Sequence, residues 1–133
     1  MVLYVDSSAL MKRYVAEHDS AAADSLLASD PVLATSRLAE VEVRRNLARM
    51  LDGADAAGAK RQFLEDLDAF ALVAVDATIC NDAARIAEQT GCRSLDSIHI
   101  ASALRAGPQT TFLTFDVRQA NAARSMGLTV IGT

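Results

Sequence analysis

Asp6, Asp96 and Asp116 are three carboxylates far apart in the chain, each standing where one secondary-structure element hands over to the next. Asp6 follows the apolar run Val2-Leu3-Tyr4-Val5, and Asp116 follows Thr111-Phe112-Leu113-Thr114-Phe115. Asp96 falls in the first turn of a helix after Arg93-Ser94-Leu95. A fourth acid is expected from the long helix after Ser36, where Glu40 and Glu42 compete. The two are about 200° apart around a helix, so only one of them can point into a shared site. Glu40 has Arg37 and Arg44 at i−3 and i+4, the setting of a solvated ion pair. Glu42 shares its sector with Arg45, Asn46 and Arg49, and periodicity leans to it without deciding.

Any one such Asp is ordinary, because Asp caps backbone N–H groups and suits the positive end of a helix. Several acids converging on one edge are harder to explain structurally, since bare carboxylates repel and raise one another's pKa. A cation would relieve that repulsion. An all-oxygen donor set selects a hard ion, Mg²⁺ or Mn²⁺ rather than Zn²⁺. Such an ion acidifies a water, orients it for in-line attack on a phosphodiester and neutralises charge on the transition state.

The elements that must position these acids follow from the pattern of apolar residues. Val2 to Val5 has no polar alternation and reads as a strand buried on both faces, typical of the centre of a parallel sheet. Ser7 and Ser8 are candidate N-caps for the helix carrying Leu10, Met11 and Tyr14. A second short helix is expected over Ser20 to Ala28, broken by Ser29-Asp30-Pro31. A strand follows at 32–35, and Ser36 caps the long helix to about Leu51. That helix has two apolar sides, Ala39, Val43, Leu47 and Met50 on one and Leu38, Val41 and Ala48 on the other, so it is expected to contact two things. Asp52 to Asp55 reads as a turn and 57–69 as the second arm of a helical hairpin.

Residues 71–75 read as a third buried strand, 77–90 as a helix ended by Gly91, and 94–106 as another stopped by Gly107-Pro108. The fourth strand, 111–115, a helix over 117–126 and a last strand at 128–131 complete the alternation. Such alternation means parallel pairing through right-handed crossovers. In open α/β sheets the carboxyl edge of the strands is where ligands bind. The expected architecture is an α/β fold, a three-layer α/β/α sandwich with a central parallel sheet of four or five strands in one domain over 1–133.

Composition sets outer limits. A chain of 133 residues with 51% hydrophobic and 23% charged residues is long enough for one substantial core. No apolar run approaches the roughly 20 residues of a membrane span. With an acid at position 6 and no basic n-region, the start does not read as a secretory signal, and a cytoplasmic protein is expected. Cys80 and Cys92 are too few for a disulfide framework and lack zinc-site spacing. A net charge of −4 argues against gripping nucleic acid over the whole surface, yet eleven of the thirteen basic residues are Arg, several grouped between Arg37 and Arg61.

With these residues placed, the chain resembles a PIN domain, and more closely the VapC-type ribonuclease toxins of toxin–antitoxin pairs. The resemblance spans nearly the whole sequence. It rests on Val5-Asp6-Ser7-Ser8-Ala9-Leu10, on Ser36 with Glu42-Val43-Arg44-Arg45, on Leu95-Asp96-Ser97-Ile98-His99-Ile100-Ala101, and on Leu113-Thr114-Phe115-Asp116. Each motif is weak alone, and the four in order are strong together. The family register puts the second acid on Glu42. The resemblance implies Mg²⁺- or Mn²⁺-dependent endonucleolytic cleavage of RNA, with Asp6 and Asp96 as direct metal ligands and Glu42 and Asp116 completing the site or acting through water. It also implies a hydroxyl at the rim of the site, Thr114, a homodimer, and a small cognate antitoxin lying along a groove beside the early helices.

Arg118, with Arg93, Arg45 and Arg49, is a candidate for phosphate contacts, which would position RNA without reading its sequence. His99 stands at i+3 from Asp96 but within an apolar helix, and reads as a hydrogen-bonded structural histidine. His18 is expected on the surface. The few aromatic residues provide no evident platform for stacking bases. A haloacid-dehalogenase-type phosphatase would want a second Asp two residues after Asp6, where Ser8 stands. A phosphoacceptor receiver built on Asp76 would want a Lys near the last strand, yet the only lysines are Lys12 and Lys60. A non-catalytic interaction module, its acids receiving a basic peptide, is the remaining alternative.

Overall fold

The computed structural model describes residues 2–16, 20–28 and 32–133. In chain order its elements are β1 (Val2–Val5), α1 (Ser7–Tyr14), α2 (Ser20–Ala28), β2 (Leu33–Ser36), α3 (Arg37–Met50), α4 (Gly53–Leu67) and β3 (Ala71–Val73). There follow α5 (Ala77–Thr90), α6 (Ser94–Arg105), β4 (Thr110–Leu113), α7 (Val117–Ser125) and β5 (Thr129–Ile131). The expected helix breaker Ser29-Asp30-Pro31 and the surface assignment of His18 lie outside the described residues.

The strands form one sheet in the order β3-β2-β1-β4-β5, every pair parallel. β1 is central, with Tyr4 in register with Ala34 on one side and Phe112 on the other. Its alternation separates two cores. Leu3 and Val5 pack with Leu10, Val43, Leu47 and Phe63 of the α1–α4 layer, while Tyr4 packs with Ile79, Ile86 and Ile100 of the opposite layer, α5–α7. A strand sandwiched this way needs apolar side chains on both faces, which is why Val2 to Val5 shows no polar alternation. The three-layer α/β/α arrangement matches the sequence expectation, with five strands.

The departures have local causes. Among the described residues only β2 flanks β3, which ends at Val73 rather than 75 and is exposed at Ala71 and half-buried at Leu72 and Val73 instead of buried. β4 ends at Leu113, so Thr114 and Phe115 belong to the turn that leads into α7. Extended backbone at Asp52 lets α4 begin at Gly53, where a turn was expected. Of the two apolar sides of α3, Ala39, Val43 and Leu47 are buried, while Val41 and Met50 are 67% and 46% exposed. Among the described residues no helix is long and apolar enough to cross a membrane.

Candidate active site

Asp6 stands at the carboxyl end of β1 and is itself the N-cap of α1, with Oδ1 accepting from the Ala9 N–H at 2.8 Å. The caps expected at Ser7 and Ser8 are therefore displaced by one residue. The reason is chemical, since an Asp already extended at the strand end reaches the first turn directly. Ser8 Oγ lies 2.8 and 3.0 Å from the two carboxylate oxygens, and Thr114 Oγ1 donates to Oδ2 at 2.6 Å. The residue is 2% exposed. Burial pushes its carboxyl above the ordinary value, against the opposing pull of His99 and the Thr114, Ala9 and Ser8 hydrogen bonds. Among the described residues, the groups that hydrogen-bond it, Ser8, Ala9 and Thr114, are neutral.

Glu42 reaches the same edge from α3, whose N-cap Ser36 accepts from the Leu38 N–H at 3.0 Å. Its Oε1 takes two donors, Ser7 Oγ at 2.6 Å and His99 Nε2 at 2.7 Å. His99 Nδ1 faces the Tyr4 hydroxyl at 2.7 Å. Burial raises the Tyr4 pKa, so the phenol keeps its proton, and Nε2 donates to Glu42, whose carboxylate can only accept. Although partial burial alone would raise the Glu42 carboxyl, the His99 hydrogen bond and charge, with Ser7, bring it below its usual value. Glu40 lies apart, paired with Arg44 at 3.1 Å and Arg37 at 3.9 Å.

Asp116 caps α7, its Oδ1 accepting from the Gln119 N–H at 3.1 Å, and its own N–H donates to Thr114 Oγ1 at 3.1 Å. Thr114 thereby joins Asp6 to Asp116. It is fully buried, not at the rim as expected, because its hydroxyl is turned inward onto Asp6. Arg93, ahead of α6, joins the remaining acid, with Nε 3.1 Å from Asp96 and Nη2 3.3 Å from Asp116. Arg118 is exposed and lines, with Gln89, Arg93, Asp96, Asn121 and Ser125, a cleft of about 580 Å³ beside these acids.

The structure thus links Asp6, Asp116 and Asp96 through Thr114 and Arg93, while Glu42 is held at the same edge by a separate pair, Ser7 and His99, and the four do not form a tight cluster. Among the described residues no three His, Cys, Asp or Glu side chains converge closely enough to hold a metal by themselves. Mutual repulsion of bare carboxylates and the Arg93 guanidinium between two of them account for the spacing. The donor set still fits a hard ion, because Mg²⁺ keeps several of its waters and takes only one or two carboxylates directly. Oxygen is the donor in all four acids, and the one nearby imidazole has both nitrogens engaged.

Sequence reasoning missed two participants. Ser7 reads as a cap and instead holds Glu42. Gln119 is 2% exposed, with Oε1 3.2 Å from Thr114 Oγ1 and Nε2 3.5 Å from the Asp96 carbonyl. The only signal for it is the spacing Asp116-x-x-Gln119, that of a capping box. The expected hydrogen-bonded character of His99 is present, but its partner is one of the acids.

Comparison with known proteins agrees with this fold. The family model described as PIN domain matches residues 3–125. Ribonuclease VapC46 of Mycobacterium tuberculosis is 36% identical over 130 residues, covering 97% of this chain and 95% of its own. Ribonuclease VapC35 of the same species is 34% identical over 135 residues, covering 98% and 96%. Among solved structures, FitAcB from Neisseria gonorrhoeae superposes with a TM-score of 0.78 at 19% identity, covering 98% of this chain and 96% of that one. VapC20 of M. tuberculosis, described as a sarcin-ricin loop cleaving toxin, gives 0.76 at 20% identity, covering 98% of both. The chain belongs to the PIN-domain family, with VapC ribonucleases as its relatives.

Proposed function

We propose that this protein is a divalent-metal-dependent endoribonuclease, the toxin of a toxin–antitoxin pair acting in the cytoplasm. The observation that carries the reading is Asp6, a buried carboxylate at the carboxyl end of the central strand, hydrogen-bonded among the described residues only to neutral groups and linked through Thr114 to a second acid. A buried anion of that kind is stabilised by a cation. Asp6 and Asp96 would be the direct ligands of Mg²⁺ or Mn²⁺, with Glu42 and Asp116 holding its waters. The bound ion supplies Lewis acidity, making a water acidic enough to attack at neutral pH and offsetting charge on the phosphate.

The chain's own residues do the positioning. Thr114 and Ala9 fix the Asp6 carboxylate, and Ser7 with His99 fixes Glu42. Arg93 and Arg118 border the cleft beside Asp96 and would grip the backbone phosphates of RNA. Relatives named as ribonucleases and neighbours described as toxin–antitoxin complexes, among them one from Klebsiella pneumoniae, support both the RNA substrate and a small antitoxin partner. The exposed side of α3 that carries Val41 is the surface we assign to a partner chain, whether antitoxin or second copy.

Incubation with labelled RNA in Mg²⁺, Mn²⁺ or EDTA tests the reading. Cutting should require metal and vanish in Asp6→Asn. Glu42→Gln should lose at least about 100-fold, while Glu40→Gln, whose pairs are surface ion pairs, should stay within about two-fold. Cutting that survives Asp6→Asn undiminished overturns the proposal, and equal losses in the two Glu variants overturn the assignment of the second acid.

A further inference from the structure

Glu42 differs from the other acids in how it is held. Asp6 and Asp116 are short side chains pinned by backbone N–H groups of the helices they cap. Glu42 sits in the interior of α3, with a long flexible side chain and no backbone donor among the described residues. A free glutamate of that kind samples several rotamers and loses that entropy on binding anything. Its anchors are Ser7 and His99, both on Oε1.

His99 is itself rigidly mounted. It is 2% exposed, and its Nδ1 is held by the hydroxyl of Tyr4, which is fully buried in β1 and stacked on Phe112 at 5.4 Å with the rings 7° from parallel. The Glu42–His99 bond connects the α1–α4 layer to the α5–α7 layer past the end of the central strand. Packing alone does not call for this chain of polar groups. An apolar side chain at 99 beside Ile100 would fill the space without burying an imidazole and a phenol. The polar chain runs from the sheet to one carboxylate oxygen and ends there.

We propose that His99 is a positioning residue, which, with Tyr4 behind it, fixes Glu42 Oε1 and presents Oε2, free of hydrogen bonds among the described residues, to the cation or its waters. The inference rests on the proposed function for the identity of what Oε2 meets, but not for the positioning itself. Partners that orient a metal-ligating carboxylate are worth about 10- to 100-fold in metal affinity or activity.

Three variants of the full chain test it: His99→Leu keeps bulk and removes the donor, His99→Gln restores an amide donor, and Tyr4→Phe removes only the hydroxyl behind the ring. Mn²⁺ affinity is measured by electron paramagnetic resonance and the Glu42 side-chain rotamer by NMR, with thermal melting to verify folding. His99→Leu should weaken Mn²⁺ binding about ten-fold or more and release Glu42 into several rotamers, whereas His99→Gln should return affinity to within about three-fold. A folded His99→Leu with unchanged Mn²⁺ affinity and a single Glu42 rotamer overturns the proposal. So does a Gln variant no better than Leu. Should His99→Leu not fold, Tyr4→Phe decides: a mobile Glu42 supports the role and a fixed one refutes it. If the wild-type chain neither binds Mn²⁺ nor cuts RNA, the proposed function fails, and the rotamer measurement still judges His99.

Discussion

The Thr114 hydroxyl lies 2.6 Å from Asp6 Oδ2 across a separation of 108 residues in sequence, and both side chains are buried. It also accepts the Asp116 N–H at 3.1 Å, so one oxygen sets the distance between two of the acids. Thr114→Val keeps the shape and removes both contacts. It should cost about 1.5–3 kcal/mol, the worth of a hydrogen bond to a charged group, and weaken Mn²⁺ binding. Thr114→Ser should restore most of each. Melting and Mn²⁺ titration of the pair check this, and a Val variant as stable and as tight as wild type contradicts it.

Gly132 guards the same residue from outside. Its φ of +105° is one that L side chains rarely adopt, and a Cβ placed there would stand 2.3 Å from the Thr114 carbonyl oxygen and 3.1 Å from Leu113 Cδ1. Gly132→Ala must therefore shift the turn that carries Thr114 and should destabilise by about 1–3 kcal/mol. RNA cleavage should fall with it, although Gly132 carries no functional group. Chemical denaturation and a cleavage assay on one preparation test both halves.

Asp6 and Glu42 should leave opposite signatures in stability against pH. Burial raises the Asp6 carboxyl in the folded state, so its contribution is present below the unfolded pKa of about 3.9 and lost as pH rises through the higher folded value. In metal-free buffer Asp6→Asn should thus melt above wild type at pH 7, the gap closing toward pH 3. Burial opposes the ionised Glu42, but the His99 and Ser7 hydrogen bonds win and lower its carboxyl, so its contribution is present above about 4.3 and lost as pH falls through the lower folded value. Glu42→Gln should melt below wild type at pH 7 and converge with it in acid. Parallel melting curves across pH, with both variants shifting the same way, would contradict the assignment.

Arg93 occupies the space between Asp96 and Asp116 and is 70% exposed as a side chain. Exposed ion pairs are weak, so a divalent cation can displace this guanidinium easily. Arg93→Ala should tighten Mn²⁺ binding by less than about five-fold while raising the KM for RNA through the lost phosphate contact. Weaker Mn²⁺ binding in this variant would mean that Arg93 orders the acids instead of competing with the ion.

What the sequence determined by itself was the set of elements and which acids fall at their ends. Apolar periodicity is a local property, so the uninterrupted run at Val2–Val5, the Ser36 cap and the Gly91 stop placed strands and helices to within a few residues. The parallel, three-layer order follows from strands alternating with helices. Glu42 became preferable to Glu40 because two Arg neighbours at helical spacing already claimed Glu40, and the structure pairs them so.

Only the tertiary structure decided how the acids are held. Whether a hydroxyl at 114 lines a rim or supports Asp6 depends on where β4 ends relative to β1, which no local pattern encodes. Ser7 and His99 acquire their roles at Glu42 through separations of 35 and 57 residues. Buried polar contacts at such separations are set by packing the layers together, because a hydrogen bond is specified by three-dimensional distance and angle while sequence spacing records only neighbours along one element.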